Sequence, residues 1–106
     1  QQRGTIVNVA SISGVIGPEK FPGFASYCAS KAAVISFTEA LAVEVKQHNV
    51  RVNSISPGSV DTKMWAEASG GSPASMTPEE IAASIAYLAS SASRPMNGQN
   101  LSVFSA

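Results

Sequence analysis

The apolar and polar positions of the chain alternate between short β-branched runs and longer helical segments. Thr5 to Ala10, TIVNVA, follows Gly4 and predicts a buried strand. From Ala25 or Ser26 to about His48 the chain is rich in helix formers and lacks Gly and Pro, which predicts a long helix stopped at Asn49. Val50 to Ser56, VRVNSIS, predicts a second strand ended by Pro57-Gly58. Thr77-Pro78-Glu79-Glu80 has the form of a capped helix start, and Ile81, Ile85 and Leu88 continue it as an apolar stripe. That helix fades in the serines of residues 90–93, Asn97-Gly98 makes a turn, and Asn100 to Phe104 predicts a third strand.

Two connections stand out by length. Ser11 to Ser26 holds Gly14, Gly17, Pro18, Pro22 and Gly23, and connections of this size are usually functional or mobile. Ser59 to Met76 reads as a low-order stretch with Gly70, Gly71 and several serines, yet it carries Met64, Trp65 and Met76. Those bulky side chains mark either a lid over something apolar or a loop pinned by its tryptophan.

Strands separated by helices predict parallel pairing and right-handed crossovers. The expected fold class is α/β: half of a doubly wound parallel sheet, with three strands and two main helices. Ligands of such sheets bind beyond the carboxyl ends of the strands. Ser11, Pro57-Gly58 and the start of the long helix all belong to that edge.

Composition adds bounds. The chain has 106 residues, enough for about one domain, and is 44% apolar. Seven basic residues against seven acidic ones give no footprint for nucleic acid. No apolar run reaches the ~18 residues of a membrane span, and no secretory signal opens the chain. A single cysteine, Cys28, allows no internal disulfide, which suits a reducing, cytoplasmic setting. The opening Gln1-Gln2-Arg3-Gly4 reads as a start in mid-protein.

The chemistry concentrates in SYCASK, residues 26–31. Tyr27 and Lys31 lie one helical turn apart and project on the same side. A cation about 4 Å from a phenolate stabilises it by roughly 4 kcal/mol at an effective dielectric near 20. Such a pair suits general acid–base work. The bland alternative is a half-buried aromatic beside a snorkelling lysine. Ser11, at a strand end, would hydrogen-bond a substrate oxygen as charge grows on it. Phenol, ammonium and hydroxyl together suit protonation of a carbonyl oxygen, or deprotonation of an alcohol, while a hydride moves at carbon. No side chain stores a hydride, so this reading requires a nicotinamide cofactor. Other polar residues read as structural. Cys28 is a small apolar residue with a redox role as the alternative, His48 suits a helix end, and Asp61 and Glu67 are solvated. Trp65 is either core or substrate contact.

NVASISG, YCASK and VRVNSISPGSVDT, in this order, resemble the short-chain dehydrogenase/reductase family, as does the tail PEEIAASIAYLAS with NGQNL. The likeness covers essentially the whole chain. It implies that Ser11, three residues before Gly14 in a serine-x-x-glycine pattern, is the catalytic serine, and leaves Ser13 a local loop hydroxyl. It further implies that Tyr27 is the catalytic acid/base and that Lys31 holds the nicotinamide ribose and tunes the tyrosine. Pro57 and Gly58 match the turn under the nicotinamide, and Val60 and Thr62 match positions that contact the cofactor. Members bind NAD or NADP and act on small carbonyl or alcohol substrates. Many pair the tyrosine-bearing helix across subunits, which implies a homo-oligomer through the small-residue face Ala29, Ala33, Ser36, Ala40 and Val43. The departures are a longer loop containing PEKFPGF, an ending SVFSA without Asp-Gly-Gly, and no glycine-rich turn to cradle a pyrophosphate. Residues 1–106 are therefore expected to be the C-terminal part of a single Rossmann-type domain whose cofactor-cradling half lies outside them. The alternative is a truncated, non-catalytic module for interaction or oligomerisation.

Overall fold

The computed structural model describes residues 3–104. Three strands, β1 (Gly4–Val9), β2 (Val50–Pro57) and β3 (Asn100–Val103), form one parallel sheet in the order β1-β2-β3. The helices are α1 (Ala25–Val45), α2 (Lys63–Ser69) and α3 (Pro78–Ala89), with short 3-10 turns at Ile12–Gly14, Lys46–His48 and Ser91–Ser93. The expected ends of α1 and α3 are met for local reasons. Asn49 adopts φ 58° and stops α1 and its 3-10 extension. Thr77 and Glu80 form a reciprocal capping box with Pro78 in the first turn of α3. Gln1 and Gln2 of the atypical opening, and Ser105 and Ala106 of the atypical ending, lie outside the described residues.

β2 is the central strand, and its residues Val52 to Ser56 are all buried. Alternation along a strand sends successive side chains to opposite faces. Ile55 packs with Met76, Ile81, Leu88 and Val7. Arg51 and Asn53, on the same face, are taken up by the segment after α3. The Arg51 guanidinium donates to the carbonyls of Ser90, Ser93 and Met96, and Asn53 Nδ2 donates to the Met96 carbonyl. The opposite face of β2 carries Ser54 and Ser56, whose hydroxyls both donate to Asn100 Oδ1 at 2.7 Å. On β1, Val7 joins the α3 core while Asn8 donates to Thr38 of α1. So α1 and α3 cover opposite faces, as a doubly wound sheet requires.

That placement corrects one expectation. With parallel strands in the order β1-β2-β3, two right-handed crossovers would put both helices on one face. Helices on opposite faces make the two crossovers opposite in hand. The long connection between β2 and α3 carries the chain around the sheet end, so the tight geometry behind the right-handed rule does not bind it.

The stretch 59–76 is also more ordered than expected. Thr62 Oγ1 accepts from the Trp65 N–H, Gly70 ends α2 at φ 69°, and Trp65 Nε1 donates to the Ser72 carbonyl at 2.8 Å. A bridge between Val60 and Met76 closes the excursion at its base. Met76 belongs to the core, Met64 is exposed, and half-buried Trp65 is tied to its own loop. The signals were present as a threonine cap and a glycine stop, but the surrounding Gly and Ser residues masked them.

Candidate active site

Ser11 follows directly from β1, whose ladder continues through the Ala10 N–H donating to the Ile55 carbonyl at 2.8 Å. Pro57 closes β2 beside it, and the Gly58 N–H donates to the Val103 carbonyl at 2.8 Å. Ser11 and Pro57-Gly58 thus leave the same edge of adjacent strands. Ser11 is buried in extended conformation and caps the 3-10 turn Ile12–Gly14, its Oγ accepting from the Ser13 N–H at 3.1 Å. The hydroxyl hydrogen takes no part in that bond, so the serine is held in place as an acceptor while keeping a donor. Ser13 supplies its amide to this turn, in line with a local role.

Gly14 brings the turn to α1. A Cβ built there would lie 2.5 Å from Ala32 N and 2.6 Å from Lys31 C. The turn begun by Ser11 therefore rests on the backbone of α1 at the residue that bears the ammonium. In the sequence Gly14 was only the end of a serine pattern; the packing shows why no side chain is accommodated there.

Tyr27 and Lys31 meet on one side of α1, both half-buried. Lys31 Nζ lies 5.6 Å from the centroid of the Tyr27 ring, and Phe24 packs against that ring edge-on at 6.2 Å between centroids. The contact is of the cation-over-ring kind. The small residues between them serve the helix: Ser30 Oγ donates to the Tyr27 carbonyl and the Cys28 N–H to the Phe24 carbonyl.

Other expected site residues have local tasks. Pro57 and Gly58 form the strand-end turn, and a Cβ on Gly58 would lie 2.7 Å from Phe104 Cβ. Val60 packs on the core through its bridge to Met76, and Thr62 uses its hydroxyl to cap α2. The long loop after Ser11 folds on itself, with Lys20 Nζ donating to the carbonyls of Val15 and Pro18 and with Ile16 and Phe21 exposed. The outer face of α1 expected to carry small residues is exposed throughout, at Ala29, Ala33, Ser36, Ala40 and Val43. Among the described residues, no group of three His, Cys, Asp or Glu stands where it could hold a metal, and no helix is long and apolar enough to cross a membrane.

The nicotinamide end of a dinucleotide suits what is present: a hydroxyl, a phenol and an ammonium near a turn whose glycine lets a backbone come close. The pyrophosphate end does not. Glycines 17, 23, 70, 71 and 98 have positive φ, with Gly70 and Gly71 adjacent in one turn and the rest apart, and none opens a helix directly after a strand.

Known proteins are similar to this chain in sequence and fold. A family model described as enoyl-(acyl carrier protein) reductase matches residues 1–104. The 3-oxoacyl-[acyl-carrier-protein] reductase FabG of Chlamydia muridarum is 44% identical over 110 residues, covering 94% of this chain and 43% of that protein. A solved short chain dehydrogenase/reductase family protein superposes with a TM-score of 0.82 at 38% identity, covering 94% of this chain and 43% of the other. A 4-hydroxyisoleucine dehydrogenase complexed with NADH gives 0.74 at 37% identity, covering 95% of this chain and 44% of that one. The chain thus spans less than half the length of these relatives. A family match over residues 1–104, with a fold shared with a solved member, makes this chain a member of the short-chain dehydrogenase/reductase family.

Proposed function

We propose that this segment supplies the reacting side chains of an oxidoreductase that moves a hydride between NAD(H) or NADP(H) and a carbonyl or secondary alcohol. The carrying observation is the Lys31 ammonium over the Tyr27 ring, with the Ser11 turn seated on the same helix through Gly14. A bound nicotinamide supplies the hydride donor or acceptor. In reduction, Tyr27 Oη gives its proton to the carbonyl oxygen, and in oxidation it takes that proton from the alcohol. The Ser11 hydroxyl donates to the same oxygen and stabilises the charge that develops there. Lys31 stabilises the phenolate left behind and is placed to hold ribose hydroxyls. Pro57, Gly58, Val60 and Thr62 would help to hold the bound cofactor. The pyrophosphate cradle is assigned to a part of the domain outside residues 1–106, and the exposed face of α1 to pairing with a second copy. A cytoplasmic location is part of the same proposal. The names of the relatives, a 3-oxoacyl reductase and a dehydrogenase with NADH, support the same reaction class.

The test is Tyr27→Phe in the intact enzyme. Loss of the acid/base should lower turnover by about 10²-fold or more, while NADH or NADPH binding followed by fluorescence stays near wild type. Turnover within tenfold of wild type would refute the assignment. A second reading, a non-catalytic interaction module, draws on the lack of a glycine cradle in residues 1–106. Titration of NADH and NADPH into the 106-residue chain separates the two, since tight binding rules out the module.

A further inference from the structure

We propose that Asn8 and Thr38 are positioning residues that set the rotation of α1 above β1, so that Tyr27 and Lys31 face the oxygen held by Ser11. The inference rests on the acid/base reading of Tyr27 above. Asn8 lies on β1, three residues before Ser11, on the face covered by α1. Its Nδ2 donates to Thr38 Oγ1 at 3.0 Å, and the Thr38 hydroxyl donates to the Val34 carbonyl at 2.8 Å. Thr38 is 1% exposed. It stands two helical turns beyond Lys31, and the Val34 carbonyl lies on the turn between. The strand that presents the serine is thereby tied to the helix that presents the tyrosine and lysine.

The helix needs such a tie because its apolar residues do not choose one face. Phe37 is 58% exposed and Val43 78%, while Ile35 and Leu41 are half-buried. Beneath α1 the sheet offers Ser54 and Ser56 of β2 and a single fully buried valine, Val52, against the small Ala42. Non-directional burial therefore discriminates weakly between rotations of α1, whereas a buried hydrogen bond with one acceptable geometry discriminates strongly. A side-chain tip about 6 Å from a helix axis moves roughly 1 Å when the helix turns by about 10°. Misplacement of about 1 Å at a reacting group can cost on the order of 10²-fold in rate.

The experiment uses the intact enzyme with kcat, KM and cofactor Kd measured for three variants beside Tyr27→Phe. Thr38→Val keeps shape and removes the hydroxyl. Thr38→Ser keeps the hydroxyl. Asn8→Ala removes only the bond between elements, because Thr38 retains its bond to Val34. Thr38→Val and Asn8→Ala should each lower kcat by about 10- to 100-fold, with KM and cofactor Kd within about twofold of wild type, and Thr38→Ser should recover most of the loss. Wild-type kcat in a folded Thr38→Val or Asn8→Ala protein overturns the proposal, as does a serine variant no better than valine. If Thr38→Val does not fold, Asn8→Ala decides alone. An inactive Tyr27→Phe beside a fully active Asn8→Ala sinks the lock and leaves the acid/base reading standing. An active Tyr27→Phe sinks both.

Discussion

Gly14→Ala isolates the contact between the serine turn and the tyrosine helix. The glycine is not among those with left-handed φ, so alanine meets no backbone penalty of its own. The perturbation is steric. The added methyl would lie 2.5 Å from Ala32 N, 2.6 Å from Lys31 C and 2.9 Å from Lys31 Cβ. Ordinary contacts between such atoms run about 3.5–4.0 Å, so the turn and the helix must separate by roughly 1 Å. The first two obstacles are helix backbone, which cannot rotate aside. Overpacking of this kind costs about 1–3 kcal/mol, and about 1 Å between Ser11 and the groups on α1 lowers turnover by about 10²-fold. Gly4→Ala is the matched control, because a Cβ there meets nothing within 4 Å. Urea melts and steady-state kinetics of the intact protein should show Gly14→Ala less stable by about 2 kcal/mol and strongly impaired in kcat, with Gly4→Ala near wild type in both. A Gly14→Ala protein indistinguishable from the Gly4→Ala control would refute the claim that this contact sets the site.

Arg51→Met removes a guanidinium that donates to three carbonyls and to Ser93 Oγ. Each carbonyl keeps a second donor, from Ser93 N–H, Met96 N–H or Asn53 Nδ2, so the cost is that of the lost charge-assisted bonds, about 1.5–3 kcal/mol, seen as a lower urea midpoint with turnover at low denaturant little changed, because the segment sits at the end of the sheet away from Ser11. Thr77→Ala breaks the capping box of α3 and should cost about 1 kcal/mol; hydrogen exchange should speed up first in the opening turn, at Glu79 and Glu80, and uniform exchange along α3 would count against a capping role.

What could be read in the sequence is what short-range chemistry decides. The caps at Thr77 and Glu80, the left-handed stop at Asn49 and the strand run of β2 each need only neighbouring residues, and each stands as expected. The helix α2 uses the same vocabulary, a threonine cap and a glycine stop, but its seven residues lie among glycines and serines that outweigh them. The hands of the crossovers depart from expectation for a different reason. The usual rule describes tight connections, and whether an 18-residue excursion carries the chain to the other face depends on which side of β2 offers the apolar surface. Ile55 rather than Ser54 or Ser56 answers that question, and alternation alone does not say which parity a helix will choose.

The candidate site divides along the same line. Tyr27, Lys31 and Ser11 announce themselves by residue type and spacing, because proton transfer and oxygen binding draw on a short list of side chains. What brings them together does not announce itself. Gly14 against Lys31 and Ala32, and Asn8 to Thr38, are contacts between segments 18 and 30 residues apart in the chain. A helix with one apolar face would have needed neither, since burial would orient it. α1 lacks such a face, leaving its outer side to Phe37 and Val43 and its buried inner side to Thr38 and Ala42 over Val52, Ser54 and Ser56. On the proposed reading, two specific contacts, one steric and one polar, hold the inward turn that bears Tyr27 and Lys31.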